Sequence, residues 1–167
     1  MIRLATLQVL ITSILLSNNN HPIILVHGFL GWGKEEVGDK SYWGGENDIE
    51  KYLNDKGYQV YSVSLGPVSS TYDCAIETFY QIKGGQVDYG QEHSEKYKII
   101  RKPEGKVYKG LYPEWNEENP VHLIGYSFGG LTNRMLLHLL NSTFLKSEDG
   151  KLEESLSLIH ISEPTRP

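Results

Sequence analysis

The sequence contains one serine whose neighbours are typical of an activated nucleophile. Ser127 lies in the stretch "HLIGYSFGGL", in which residues 125–129 fit the pattern G-x-S-x-G. An apolar segment enters this pattern and a helical pattern leaves it, as in a tight turn that holds a serine hydroxyl at the tip of a strand. Such a turn needs small neighbours, here Gly125, Gly129 and Gly130. The alternative is an ordinary Gly-rich turn between a strand and a helix.

A second motif could supply the hydrogen-bond donors that such a serine needs. His27-Gly28-Phe29 follows an earlier apolar segment, where the backbone N–H of Phe29 would face a developing oxyanion. The N–H of Phe128, the residue after the serine, would be the second donor. Alone, the motif also fits a turn that ends a strand and contains a hydrogen-bonded histidine. Its combination with the serine pattern favours the oxyanion interpretation.

The residues that would activate Ser127 are predicted to be absent from this chain. The serine needs a histidine base and an acid on loops after later strands, and each further strand with its crossover takes about 30 residues. Only 40 residues follow Ser127. The following histidines and acids of the chain all occupy positions unsuitable for this role: His27, His122, His138, His160, Glu148, Asp149 and Glu153. The chain as it stands is therefore predicted to be catalytically inactive.

The elements predicted around these motifs alternate between strands and helices. Strands are predicted at 21–27, 58–65 and 121–126, and helices at 47–56, 71–82 and 128–141. The apolar residues of each helix share a face: Ile49, Tyr52 and Leu53; Ala75, Ile76 and Phe79; Leu131, Met135, Leu136, Leu139 and Leu140. Residues 84–120 are polar and rich in Gly, Tyr and Pro, which predicts a long excursion outside the core. This order predicts an α/β fold with a parallel sheet and crossover helices.

The two ends of the chain differ from the rest. Residues 1–20 combine Arg3, an apolar run and a polar Ser-Asn-Asn-Asn segment, which is the order of a secretory signal peptide; the alternative is a buried N-terminal helix. The run is too short for a transmembrane anchor. Residues 143–155 are predicted to form a loop, and residues 156–167 match the translation of a sequencing adapter, so they are excluded from the fold. Residues 21–142 are therefore expected to be the N-terminal part of a longer domain.

The composition excludes some classes of function. Sixteen Lys and Arg against 21 Asp and Glu give a net charge of −5, which argues against nucleic acid and anionic membranes as partners. A single cysteine, Cys74, excludes an internal disulfide. Asp73 and His93 lie on segments that could approach each other, but two ligands do not make a zinc site. Asp73 by itself also fits an acid in the first turn of a helix, and His93 by itself also fits a surface histidine.

Taken together, the motifs resemble those of the secreted lipases of the staphylococcal and Bacillus/Geobacillus group. The shared stretches are HGF-x-GW, YWGG, GP-x-SS, VDYG and the serine pattern, in the same order, over roughly residues 21–140. The resemblance implies an α/β-hydrolase fold whose C-terminal half is missing, with Ser127 as nucleophile and Phe29 and Phe128 as oxyanion donors. It also implies secretion, a lid, and hydrolysis of triacylglycerol or other fatty-acyl esters at a lipid–water interface through an acyl-enzyme.

The resemblance also implies metal ions, although this sequence differs from the group at some of the positions concerned. Asp73 and His93 match two ligands of the group's structural zinc, but its second histidine, six residues after the first, is replaced by Ile99. The last zinc aspartate and the ligands of a calcium ion would lie in the missing half. Tyr126 and Phe128 replace the usual histidine and a Gln or Met, which makes the pocket beside the serine more aromatic.

Two other functions stay open at the level of sequence. A non-catalytic α/β-hydrolase-like binding protein would lack the acid and the histidine in its missing half. A related acyltransferase or thioesterase would keep them and act on other acyl compounds. The complete coding sequence would distinguish the binding protein from an enzyme. Substrate profiling would distinguish the acyltransferase or thioesterase from a lipase.

Overall fold

The computed structural model describes residues 20–34, 36–38 and 40–141. The predicted signal peptide, apart from residue 20, and the predicted loop and adapter segment at 143–167 lie outside these residues. The strands are β1 Ile23–Val26, β2 Val60–Ser62, β3 Gly85–Gln86, β4 Val107–Tyr108 and β5 His122–Gly125. The helices are α1 Ile49–Asp55, α2 Thr71–Lys83, α3 Gln91–Tyr97 and α4 Phe128–Asn141. Within the described ranges, no helix is long and apolar enough to cross a membrane.

Three parallel strands form the main sheet, with β1 in the centre between β2 and β5. Ile23 of β1 is in register with Val60 on one side and with His122 on the other. The side chains of Ile24 and Val26 are fully buried, as expected for an apolar strand at the centre of a sheet. The predicted α/β class with a parallel sheet is confirmed.

Helix α2 is the central helix of the core. Ser70 caps its first turn by accepting a hydrogen bond from the N–H of Asp73 (3.1 Å), and the chain leaves the helix at Gly84, whose φ is 91°. Ala75, Ile76 and Phe79 are buried, as predicted from their spacing.

Helix α4 follows the serine turn and packs on β1, β5 and α2. Its bounds agree with the prediction, and Leu136, Leu139 and Leu140 are buried. Leu131, in contrast, is 51 % exposed. Ile124 of β5 is also exposed, because β5 is the last strand on its side of the sheet in the described part of the chain.

Helix α1 packs through a polar side chain rather than through its predicted apolar face. Of the predicted apolar face, Leu53 is half-buried, but Ile49 and Tyr52 are 42 % and 58 % exposed, whereas Glu50 is buried. The amide of Asn54 donates to the carbonyl oxygen of Val60 (2.9 Å) and accepts from its N–H (3.1 Å). These two hydrogen bonds attach α1 to the edge of β2, so the helix does not need the apolar face that the sequence predicts.

Residues 84–120 contribute to the core, contrary to the prediction. Within them β3 and β4 pair antiparallel. The side chains of Val87, Tyr89 and Trp115 are buried and belong to the same apolar cluster as α2. The polar composition of this segment hid the few large side chains that anchor it.

A buried ionic cluster also fixes this segment to α2. The carboxylate of Glu77, which is 1 % exposed, accepts hydrogen bonds from the Tyr89 hydroxyl (2.7 Å) and the Lys106 ammonium group (2.6 Å). Burial, followed by the hydrogen bond to Glu77, raises the pKa of Tyr89 above its ordinary value. The two donors compensate for the loss of water around the carboxylate.

Candidate active site

Ser127 occupies the turn between β5 and α4 in a strained conformation. Its φ is 53°, in the left-handed region that costs a non-glycine residue of order 1–3 kcal/mol. The turn is closed by hydrogen bonds from the N–H of Gly129 to the oxygen of Tyr126 (2.8 Å) and from the N–H of Gly130 to the oxygen of Ser127 (3.0 Å). The serine is exposed, and its hydroxyl has no hydrogen-bond partner among the described residues. The backbone therefore presents the hydroxyl outward.

Two of the three glycines around the serine are sterically required. A Cβ on Gly125 would overlap the backbone of Gly129 and Gly130, and a Cβ on Gly129 would overlap the carbonyl oxygen of Val26. A Cβ on Gly130 would have its nearest neighbour, the oxygen of Gly125, at 3.8 Å, which is an ordinary contact. The steric requirement predicted for Gly130 is therefore not found.

The His27-Gly28-Phe29 turn lies directly against the serine turn. A Cβ on Gly28 would stand 3.0 Å from the carbonyl oxygen of Tyr126 and 3.2 Å from the Cβ of Ser127. The rings of Phe29 and Phe128 meet edge to face, with centroids 6.4 Å apart. The structure thus brings together the serine and both residues that the sequence suggests as oxyanion donors.

The backbone amides of this turn differ in whether they donate a hydrogen bond. The N–H of Gly28 donates to the Tyr42 hydroxyl (3.1 Å), that of Leu30 to the oxygen of Pro67 (2.9 Å), and that of Gly31 to the oxygen of Gly28 (3.0 Å). In the described part of the chain, the amides of Phe29 and Phe128 donate no hydrogen bond. These two amides are therefore free to bind an anionic oxygen.

His27 is a buried, fully hydrogen-bonded histidine. Its Nε2 accepts a hydrogen bond from the N–H of Leu65 (3.0 Å), so the ring proton is on Nδ1, which donates to the oxygen of Gly28 (2.9 Å). The side chain is 3 % exposed. The imidazole therefore supports the turn and cannot serve Ser127 as a base.

The other described histidines also lie away from the serine. His138 is exposed in the last turn of α4. His122 begins β5, with its ring 6.0 Å from that of His21, and Ser127 follows the other end of this strand, which spans roughly 10 Å from His122 to Gly125. The remaining candidates, His160, Glu148, Asp149 and Glu153, lie outside the described residues.

Asp73 and His93 meet, as the sequence suggested they could. His93 Nε2 lies 2.8 Å from Asp73 Oδ1, and the hydroxyl of Ser70 donates to Asp73 Oδ2 (2.8 Å). Tyr72 stacks on the imidazole, with centroids 4.0 Å apart. No group of three or more His, Cys, Asp or Glu that could hold a metal ion occurs among the described residues, and Ile99 offers no ligand. Two ligands do not satisfy a tetrahedral zinc ion, so the described residues by themselves do not make a zinc site.

The structure identifies one site residue that sequence reasoning missed. Tyr42 accepts the hydrogen bond of the Gly28 amide, and its ring lies against Tyr126, the residue before the serine, with centroids 6.4 Å apart. Its sequence signal is its place in the YWGG stretch. Neither residue type nor spacing connects that stretch with Gly28.

The loops beside the serine expose large apolar side chains. Phe29, Leu30 and Tyr126 are 58–63 % exposed, and Val68 is 70 % exposed. Val68 follows Pro67, whose carbonyl oxygen accepts the hydrogen bond from the N–H of Leu30. Several exposed apolar groups on neighbouring loops are typical of a surface that binds an apolar ligand.

Comparison with known proteins identifies the family of this chain. The family described as "Lipase-like, C-terminal domain" matches residues 19–150. The lipase of Staphylococcus epidermidis is 44 % identical over 126 residues, which cover 73 % of this chain and 18 % of that protein. The chain thus spans about a fifth of the length of the curated relatives that it matches.

Solved structures give the same result. Lipase 1 from Pelosinus fermentans is 46 % identical with a TM-score of 0.71, over 79 % of this chain and 34 % of that one. The crystal structure of Staphylococcus hyicus lipase is 38 % identical with a TM-score of 0.72, over 86 % of this chain and 37 % of that one. The chain belongs to the lipase-like family, with staphylococcal lipases among its relatives.

Proposed function

We propose that this chain is the N-terminal part of a secreted serine lipase or carboxylesterase with an α/β-hydrolase fold. The observation that carries the proposal is the strained, outward-facing Ser127, with the hydrogen-bond-free amides of Phe29 and Phe128 beside it. Strain of this kind persists where the surrounding structure enforces it, and it commonly serves catalysis.

In the complete enzyme, a histidine from the missing part would take the proton of the Ser127 hydroxyl while Oγ attacks the ester carbonyl. The negative charge on the carbonyl oxygen would be stabilised by the amides of Phe29 and Phe128 and by the N-terminus of α4. The resulting tetrahedral intermediate would then collapse. Its bond to the alcohol oxygen breaks, the histidine returns the proton to the leaving alcohol, and an acyl-enzyme remains. Water would then attack the acyl carbonyl and release a fatty acid. Without that histidine and its acid, the chain by itself is expected to be inactive.

The apolar rim supports fatty-acyl esters, including triacylglycerol, as the substrate class. Phe29, Leu30, Val68 and Tyr126 would cover an acyl chain or contact the lipid–water interface. The order of residues 1–20 supports secretion. Structural zinc or calcium, if present in the complete protein, would need ligands from the missing part.

The test is hydrolysis by the full-length protein encoded by the complete gene. Tributyrin emulsions and p-nitrophenyl butyrate should both be hydrolysed, and Ser127→Ala should lower kcat by at least about 10⁴-fold with an unchanged thermal midpoint. A phosphonate ester should add its mass to the peptide that contains Ser127. Ester binding without turnover would favour a binding protein, and transfer to an added alcohol or thiol in preference to water would favour an acyltransferase. Activity retained by Ser127→Ala would refute the proposal.

A further inference from the structure

Two side chains hold the two peptide groups on either side of the Gly28 Cα. The Tyr42 hydroxyl accepts from the N–H of Gly28 (3.1 Å), which belongs to the first peptide. The carbonyl oxygen of Gly28, in the second peptide, accepts from Nδ1 of His27 (2.9 Å) and from the N–H of Gly31 (3.0 Å). Because a peptide group is planar, a fixed carbonyl oxygen also fixes the N–H at its other end. That N–H is the amide of Phe29.

The ring of Tyr42 joins this turn to the serine turn. It packs edge to face on Trp32 (centroids 5.2 Å apart), on Trp43 (5.5 Å) and on Tyr126 (6.4 Å). It also lies 5.6 Å from the imidazole of His27. Tyr42 is therefore held in place from several sides, and it contacts both halves of the site.

There is little space for the Gly28 peptides to move elsewhere. A Cβ on Gly28 would meet the oxygen of Tyr126, the Tyr42 hydroxyl and Ser127 Cβ, all within 3.2 Å. The hydroxyl of Tyr42 is thus both the hydrogen-bond partner of Gly28 and one of the atoms that crowd it. Removing it would leave the Gly28 amide without an acceptor and with room to rotate.

We propose that Tyr42 is a positioning residue of the oxyanion hole: through Gly28 it fixes the direction of the Phe29 amide toward the carbonyl of a substrate bound at Ser127. The inference rests on the proposed function. Donors stabilise developing charge best when they are oriented beforehand, so a loosened amide weakens transition-state binding. Binding of the ester in its ground state depends on the acyl chain and is unaffected.

The test is Tyr42→Phe in the full-length protein, which removes one oxygen atom and keeps the ring. The kcat for p-nitrophenyl butyrate should fall about tenfold, less than the roughly 10²–10³-fold loss seen when an oxyanion donor itself is removed. KM should stay within about twofold. Amide hydrogen exchange at Gly28 should become faster. Tyr52→Phe is the matched control, because Tyr52 is 58 % exposed on α1, and it should change none of these quantities.

The outcomes separate this inference from the proposed function. An unchanged kcat in Tyr42→Phe, or a higher KM at constant kcat, would overturn the positioning role. An equal loss in Tyr52→Phe would show a general effect on the fold and would also overturn it. Wild-type protein that hydrolyses no ester would refute the proposed function. In that case faster amide hydrogen exchange at Gly28 in Tyr42→Phe would still support the conclusion that Tyr42 restrains this turn. Unchanged exchange would refute that conclusion.

Discussion

Gly28 lies so close to Ser127 that a methyl group on the glycine would come within 3.2 Å of the serine Cβ. These residues are 99 positions apart in the sequence, and parallel pairing of β1 with β5 brings them together. Each strand ends in a turn at the same edge of the sheet, so the two motifs form one site. Packing at this edge therefore constrains both turns at once.

The first prediction compares two neighbouring glycines of α4. Gly129→Ala should destabilise the protein by about 2 kcal/mol or more, because its methyl group would overlap the Val26 carbonyl oxygen and push α4 away from β1. Gly130→Ala has space for its methyl group and should be neutral, or stabilising by up to about 1 kcal/mol, since alanine favours helices. Urea unfolding of both variants is the measurement, and equal losses would contradict the steric argument.

The second prediction concerns the buried ionic cluster. Lys106→Met leaves the Glu77 carboxylate buried with one hydrogen-bond donor fewer and no countercharge, which should cost about 3 kcal/mol. The control is Lys109→Met, because Lys109 is exposed in the same segment and should lose less than about 0.5 kcal/mol. The double variant Lys106→Met, Glu77→Gln should recover part of the loss. A small effect of Lys106→Met alone would show that the cluster is not desolvated in solution.

A third prediction follows from Cys74. Burial raises the pKa of its thiol to about 12, from an ordinary value of 9.0. At pH 8 the native thiol should therefore react with a disulfide reagent far more slowly than the thiol of the unfolded protein. Above pH 9 the unfolded state loses this proton before the native state does, so stability should fall as pH rises toward 12. Cys74→Ala should show a shallower fall, and rapid labelling of the native protein would contradict the burial.

The fourth prediction tests the metal question in the full-length protein. A zinc-selective chelator, which leaves calcium bound, should leave the thermal midpoint unchanged within about 1 °C, because Asp73 and His93 bind each other directly and Ile99 supplies no ligand. Ile99→His adds a third side chain of the kind that zinc prefers. This variant should gain thermal stability on addition of zinc, a gain that Ile99→Ala should not share. A large effect of this chelator on the wild-type protein would indicate that other residues complete a zinc site.

A fifth prediction concerns the fragment 21–155 expressed alone. It should aggregate or dimerise, because β5 is at an edge of the sheet in the described part of the chain and exposes Ile124, and the helix that follows it exposes Leu131. Ile124→Lys places a charge on this edge and should increase the monomeric fraction in size-exclusion chromatography. A wild-type fragment that is monomeric and melts cooperatively would argue against an unpaired edge in solution.

Sequence reasoning was most successful where the local pattern and the fold agree. The strands and the turn at Ser127 follow from apolar runs and from glycines that have a steric purpose. The role of Tyr42 depends on a hydrogen bond between a side chain and a backbone group 14 residues away, and no periodicity records such a contact. Glu77 and Lys106 are similar: each looks like a solvent-exposed charge in the sequence, but the fold buries Glu77 and places the half-buried Lys106 ammonium group 2.6 Å from its carboxylate. Ile49 was predicted to lie on the buried face of its helix, but it is exposed, because the helix is attached to the sheet through a side-chain amide.

The central position of β1 has a consequence for synthesis on the ribosome. Its partner β2 ends at Ser62, but its other partner, β5, begins at His122. At 5–20 residues per second, roughly 3 to 12 seconds pass between the emergence of the two partners. During this time one edge of an apolar strand has no native neighbour, so the nascent chain needs protection from wrong pairing. Pairing with β5 covers that edge and brings the serine turn to the turn after β1 in the same step.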